Sequence, residues 1–306
     1  MALDPECAGF VAMVESAGVR WGEGVDPEAA TASWGAAMLL GTGGAPEPIA
    51  LVTDLDADGV PVRLYSPSDS ARHALVVYFH GGGFTIGSVD THDPLTRRLA
   101  NEVPAAVVSV GFRHGPEHRF PAAHDDAWRA LTWCIAHADG LGADERRVAV
   151  VGDSSGAGLA TYLALRARDE GGPDLRLQAL WLPWVDCDFQ QPSFKEFGSG
   201  YVLDADAMAW FRATYVGEAD YGDWRVSPLR AERLDGVAPA FIATAECDPL
   251  RDQGEAYAVR LRDAGVAVDA RRYDGTYHPF YGMVDMFAAA RRLEADTVAA
   301  LQEALA

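Results

Sequence analysis

Residues 150–158 read VVGDSSGAG, an apolar run that breaks at Gly152 into two adjacent serines before the helical pattern LATYLALRAR of residues 159–168 begins. A strand that turns this sharply into a helix strains its central residue and crowds the flanking backbone, which asks for glycine on both sides. Gly152-Asp153-Ser154-Ser155-Gly156 fits G-x-S-x-G, and only Ser154 sits at its centre. The same residues also suit a plain Gly/Ser turn, because serine is a good helix N-cap. The surrounding pattern has to decide between the two.

Outward from this turn, short Val/Ala-rich runs alternate with amphipathic stretches: ALVVYFH (74–80), 89–102, AAVVSV (105–110), 121–138, RRVAVVG (146–152) and 154–169. LQALWLPW (177–184), APAFIATA (238–245) and VAVDARRY (266–273) continue the series, and an Ala/Arg/Glu-rich helix over 283–305 closes it. Continuous apolar runs too short for helices, separated by helical patterns, indicate parallel strands buried on both faces. The prediction is an α/β fold with a mostly parallel central sheet and helices on both faces. Residues 1–45 read as short helices with Gly-rich breaks, and 186–225 form an aromatic-rich excursion between two predicted strands. So long an insertion is usually functional, and its aromatics suggest a lid over the strand ends, where open α/β sheets bind ligands. GTGGAPEP (41–48) reads as a linker into the first strands. The expectation is one domain over 1–306, with 1–45 and 186–225 as added elements.

The chain has 306 residues, 49% of them hydrophobic and 23% charged, and 45 acidic against 25 basic side chains give a formal net charge of -20. That balance is expected to repel nucleic acid and anionic membranes. The N-terminus carries acidic residues where a signal peptide needs basic ones, and no apolar stretch approaches the ~20 residues needed to cross a bilayer. A cytoplasmic protein is expected, with no membrane insertion. Cys7, Cys134, Cys187 and Cys247 lie far apart without a C-x-x-C pair. They read as reduced, packed thiols rather than as a zinc or redox site.

HGGGF (80–84) directly follows the predicted strand ALVVYF. Consecutive glycines leave backbone NH groups unhindered, as stabilising an oxyanion requires, and the run lacks the spacing of a phosphate cradle. A nucleophilic serine needs a base, and the one histidine after Ser154 is His278 in DGTYHPFYGM. Pro279 disfavours helix there and puts the imidazole on a loop. The orienting acid should leave a strand end between the two, and Asp248 in ECDPL does so. Asp248 before Pro249 would also make a good helix start. Glu246 and Asp252 are its rivals, one still near the strand and one already in the following helix.

In HGGGF, GDSSGAG, DPLRDQG and YHPF the chain resembles the hormone-sensitive-lipase-like family of α/β-hydrolases over roughly residues 60–300. The resemblance implies a carboxylesterase with a helical cap built from 1–45 and 186–225. It implies Ser154 as nucleophile, Asp248 and His278 as its partners, and the NH groups of Gly82, Gly83 and Ser155 as oxyanion hole. Ser155 and Ala157 replace the family's usual Ala and Gly. VGFRHGPEHRFPAAHDD (110–126) has Gly111, Phe112, His114 and Gly115 where similar proteins read Asp, Tyr, Leu and Ala, a change that bears on substrate range. Pro279 stands where Gly is frequent. The expected activity is hydrolysis of short-chain or small-molecule esters through an acyl-enzyme, with no cofactor or metal, a small ester as partner, and a homodimer admitted as an assembly. Acyl transfer, lactone opening, amide cleavage, dehydration or ligand reception are the alternatives on the same scaffold.

Overall fold

The computed structural model describes residues 3–18, 21–41, 43–68 and 72–306. Thr42 of the predicted linker lies outside them. Two helices open the chain, α1 (Pro5–Ser16) and α2 (Pro27–Gly41), followed by β1 (Leu51–Asp56) and β2 (Pro61–Ser66). Then come β3 (His73–Phe79), α3 (Asp93–Glu102), β4 (Ala105–Val110), α4 (Ala122–Ala136), β5 (Ala143–Asp153), α5 (Ser155–Glu170) and β6 (Leu175–Trp181). The 186–225 excursion contains α6 (Pro192–Glu196) and α7 (Ala205–Tyr215). The chain closes with β7 (Ala240–Cys247), α8 (Arg251–Asp263), β8 (Val268–Tyr277) and α9 (Ala288–Ala304).

The eight strands form one sheet in the order β1-β2-β4-β3-β5-β6-β7-β8. β1 and β2 pair antiparallel, as do β2 and β4, and every other neighbour is parallel. The alternating side chains of the central strands explain why they read as unbroken apolar runs. Leu75, Val77 and Phe79 of β3 join one core layer with residues of α4, α5 and α8, while Val76 and Tyr78 join the other with residues of α3 and α9. Both faces are covered, so neither position of the period-2 repeat can be polar. The outer strand β1 reads LVTDLD and has no buried residue. Its Asp54 pairs with Arg63 of β2, a charged edge that resists further strand addition.

The strand order reverses at β3. The chain leaves β3 for β4 on one side and returns to β5 on the other. The carboxyl ends of β3 and β5 therefore flank a switch point, the place where open α/β sheets leave a crevice. HGGGF leaves the end of β3, and GDSSG forms the end of β5.

Two helices start later than the periodicity suggests. Ser88 and Thr91 exchange side chain–backbone hydrogen bonds, with 2.9 Å from the Ser88 NH to Thr91 Oγ1 and 3.2 Å from the Thr91 NH to Ser88 Oγ. That turn keeps residues 88–91 out of α3. The segment 278–287 forms turns rather than the start of α9, with Gly282 at a φ of 73°.

Candidate active site

Ser154 occupies the turn between β5 and α5 with φ 52° and ψ −117°, a region L-residues rarely enter. Its neighbours cannot be larger than glycine. A Cβ on Gly156 would overlap the carbonyl of Phe79, and one on Gly152 would overlap the backbone of Gly156. The turn is pinned from outside as well. The Ser154 NH donates to the Trp181 carbonyl at 2.8 Å, and the Trp184 NH donates to the Ser154 carbonyl at 3.0 Å. Ser154 stands at the N-cap position but its side chain makes no capping bond, so the hydroxyl is not serving the helix.

Asp248 and His278 meet because β7 and β8 end together. Cys247 pairs with Tyr277 across the parallel ladder, and the next residue of each strand steps off the sheet beside the other. His278 Nδ1 lies 2.9 Å from Asp248 Oδ2, and both residues are buried. An ionised carboxylate only accepts, so Nδ1 carries the proton and Nε2 holds a lone pair in the neutral ring. Asp248 Oδ1 accepts from the Leu250 NH at 2.8 Å. Asp248 does not cap α8, which begins at Arg251 with Leu250 at the cap position. The rival acids have other partners: Glu246 accepts from the Gly275 NH at 2.7 Å, and Asp252 accepts from the Ser193 NH at 2.8 Å.

Ser154 and His278 line one small cavity of about 30 Å3 together with Gly82 and Gly83. Its other walls include Trp34 from α2, Trp184, and Leu203, Met208 and Phe211 from the 186–225 excursion. Both sequence-predicted additions therefore reach the site. Phe211 packs directly on Gly83, where any Cβ would overlap the ring. Gly82 and Gly83 adopt φ 113° and 62°, and among the described residues nothing accepts from the NH groups of Gly82, Gly83 or Ser155. The Ser155 NH opens the 16-residue α5, whose dipole favours negative charge at that end.

Sequence reasoning gave Ser155 a backbone role only. In the structure its hydroxyl also works: Oγ accepts from the Phe84 NH at 3.3 Å in a buried setting. This bond stitches the HGGGF loop to the turn, and Phe84 itself sits at φ 58°. Only an alignment of the two loops in space could have revealed it. Gly111, Phe112, His114 and His80 line a different pocket beside β1 and β2, so none of the substitutions noted in 110–126 lines the cavity of Ser154. Among the described residues no group of three or more His, Cys, Asp or Glu side chains could hold a metal ion. All four cysteines are free and buried. No described helix is long and apolar enough to cross a membrane.

A family profile described as the alpha/beta hydrolase fold matches residues 76–282. The chain is 39% identical to an ethyl acetate hydrolase of Pseudomonas putida, with all of both chains covered. It is 42% identical to a carboxylesterase of Mycobacterium tuberculosis over 80% of this chain and 79% of that one. Among solved structures, a hyperthermophilic esterase from the archaeon Pyrobaculum calidifontis superposes with a TM-score of 0.94 at 38% identity, covering all of both chains.

Proposed function

The chain belongs to the alpha/beta hydrolase fold family, within its hormone-sensitive-lipase-like branch, and on that premise we propose that it hydrolyses carboxylic esters of small acids with Ser154, His278 and Asp248 as its triad. The observation that carries the reading is the contact of His278 Nδ1 with Asp248 Oδ2 at 2.9 Å, beside a cavity that holds Ser154.

The steps follow from the tautomer. His278 Nε2 takes the proton of Ser154 Oγ as the oxygen attacks the ester carbonyl, and Asp248 holds the ring and stabilises the imidazolium that forms. The carbonyl oxygen becomes an oxyanion facing the NH groups of Gly82, Gly83 and Ser155 at the start of α5. Collapse breaks the ester C–O bond, and His278 returns the proton to the departing alcohol. Water then attacks the acyl-enzyme, giving its proton to His278, and the acid leaves as Ser154 recovers its hydrogen.

The small cavity supports short acyl chains, as does the ethyl acetate for which the Pseudomonas relative is named. Helices α2 and α7 serve as a cap in this reading, on the strength of Trp34, Met208 and Phe211 in the cavity wall. The partner is a small ester rather than nucleic acid, in keeping with a net charge of -20. Free buried thiols fit a cytoplasmic location.

A phosphonate ester that mimics the tetrahedral intermediate tests the assignment independently of turnover. One equivalent should attach to Ser154, found by peptide mass spectrometry, and Ser154→Ala should take none. Labelling at another residue, or equal labelling of the variant, would overturn it.

A further inference from the structure

G-x-S-x-G leaves its second position open, yet Asp153 there is one of the most constrained carboxylates in the molecule. It is fully buried. The Tyr78 hydroxyl from β3 donates to Oδ1, and the Tyr281 hydroxyl donates to Oδ2. His92 Nε2, at the start of α3, stands 3.7 Å from Oδ1, beyond hydrogen-bond reach but close enough to attract. Burial pushes the carboxyl up, but the attraction of His92 and the two phenols outweighs it and holds the group below the ordinary carboxylate range. Both phenols are pushed well up by burial and by Asp153, so they stay protonated donors.

The partners belong to different catalytic segments. Asp153 directly precedes Ser154. Tyr281 lies three residues after His278 and lines the same cavity. Gly81, at the entrance to the oxyanion loop, runs so close that a Cβ there would overlap the Asp153 carboxylate and come within 3.1 Å of the Tyr281 hydroxyl. The Trp181 ring packs against both tyrosines, with centroids 6.2 Å from Tyr78 and 6.1 Å from Tyr281. His80 adds its Nδ1 bond to the Gly81 carbonyl at 2.7 Å. A buried carboxylate must keep its donors or pay heavily for solvation lost. The three segments are therefore not free to drift relative to one another.

We infer that Asp153 is a positioning residue: through Tyr281 and the passage of Gly81, its carboxylate holds the Ser154 turn, the His278 loop and the oxyanion loop in one register. The inference rests on the esterase reading for its functional meaning. The charged and titratable groups facing Asp153 are Tyr78, Tyr281, His92 and His80.

The test compares two phenols on one carboxylate. Tyr281→Phe and Tyr78→Phe each remove one donor from Asp153, but only Tyr281 belongs to the His278 loop. Tyr281→Phe should lower kcat on p-nitrophenyl butyrate by about 10- to 100-fold, as an ångström-scale misplacement does, with little change in KM. Tyr78→Phe should cost far less kcat at a comparable loss of Tm. A second readout needs no turnover: the downfield proton resonance of the His278 Nδ1–H should shift or broaden in Tyr281→Phe and stay in place in Tyr78→Phe. Wild-type kcat and an unmoved resonance in folded Tyr281→Phe, or equal kcat losses in the two phenylalanine variants, would overturn the inference. Should the unaltered protein hydrolyse no ester, the esterase reading fails, and the resonance still decides whether Asp153 positions the His278 loop.

Discussion

The Phe84 NH donates to Ser155 Oγ, so the two adjacent serines of the β5–α5 turn have different surroundings. Ser154 lines the cavity, and the Ser155 hydroxyl ties the HGGGF loop to the turn. Ser155→Ala keeps its own NH but leaves the buried Phe84 NH without an acceptor, which costs about 1–3 kcal/mol. The variant should be folded, with a lower Tm and a kcat reduced by about tenfold or less. A kcat as low as that of Ser154→Ala in a folded protein would give the Ser155 hydroxyl a chemical role that this account denies it.

Asp248→Asn should lower kcat by up to about four orders of magnitude, because an amide facing His278 Nδ1 favours the wrong tautomer. Glu246→Gln and Asp252→Asn are the matched comparisons, since each rival acid bonds a backbone NH away from His278. Steady-state kinetics on an activated ester reads the difference. Equal losses at Asp248 and Asp252 would remove the distinction on which the assignment of the acid rests.

Much of this arrangement was legible in the chain. The strands of the parallel sheet announce themselves because burial on both faces removes every polar position, and the order HGGGF, GDSSG, Asp248, His278 follows from loops that all leave the same edge. The edge strand β1 was harder to read, because it has no buried residue and so no apolar run. Tertiary contacts outside the four motifs were hidden. Tyr281 meets Asp153 from 128 residues away, and no local pattern encodes that meeting. The turn before α9 was hidden for a similar reason: its residues pack in the core next to Trp34 and Met38, and they read as apolar helix until their neighbours are known.

Acid should destabilise the fold through its buried histidines. Burial pushes the His124 imidazole down to about 3 and that of His114 down to about 4, and His80 is driven down for the same reason. An unfolded histidine titrates near 6.5. Between those values the unfolded chain binds protons that the native state refuses, so stability is full above about pH 6.5 and falls with pH below it, by up to about 1.4 kcal/mol per pH unit for each such group. His124 bridges the Tyr215 hydroxyl and the Arg225 carbonyl, both at 2.9 Å, and Gln can replace both bonds without titrating. Thermal unfolding should therefore show a lower Tm at pH 5 than at pH 7, with a shallower slope in His124→Gln. An unchanged slope would mean that His124 is not held neutral.

Phe211 closes the cavity against Gly83, and the preference for short acyl chains should depend on it. Phe211→Leu shortens the side chain while keeping the wall apolar, a milder change than truncation to alanine. The ratio of kcat/KM for octanoate over acetate p-nitrophenyl esters should rise by about tenfold, the scale set by one or two methylenes in an apolar pocket. A ratio that stays constant, or an unaltered protein whose rates climb steadily to dodecanoate, would place chain-length control elsewhere.

Attack by Ser154 on the ester is read from kcat for Ser154→Ala against the unaltered protein on p-nitrophenyl butyrate in the presence of EDTA. The unaltered protein should turn over without added metal, and the folded variant should lose at least about four orders of magnitude, as removal of a triad nucleophile does. Substantial turnover by folded Ser154→Ala, or an unaltered protein silenced by EDTA, would contradict it.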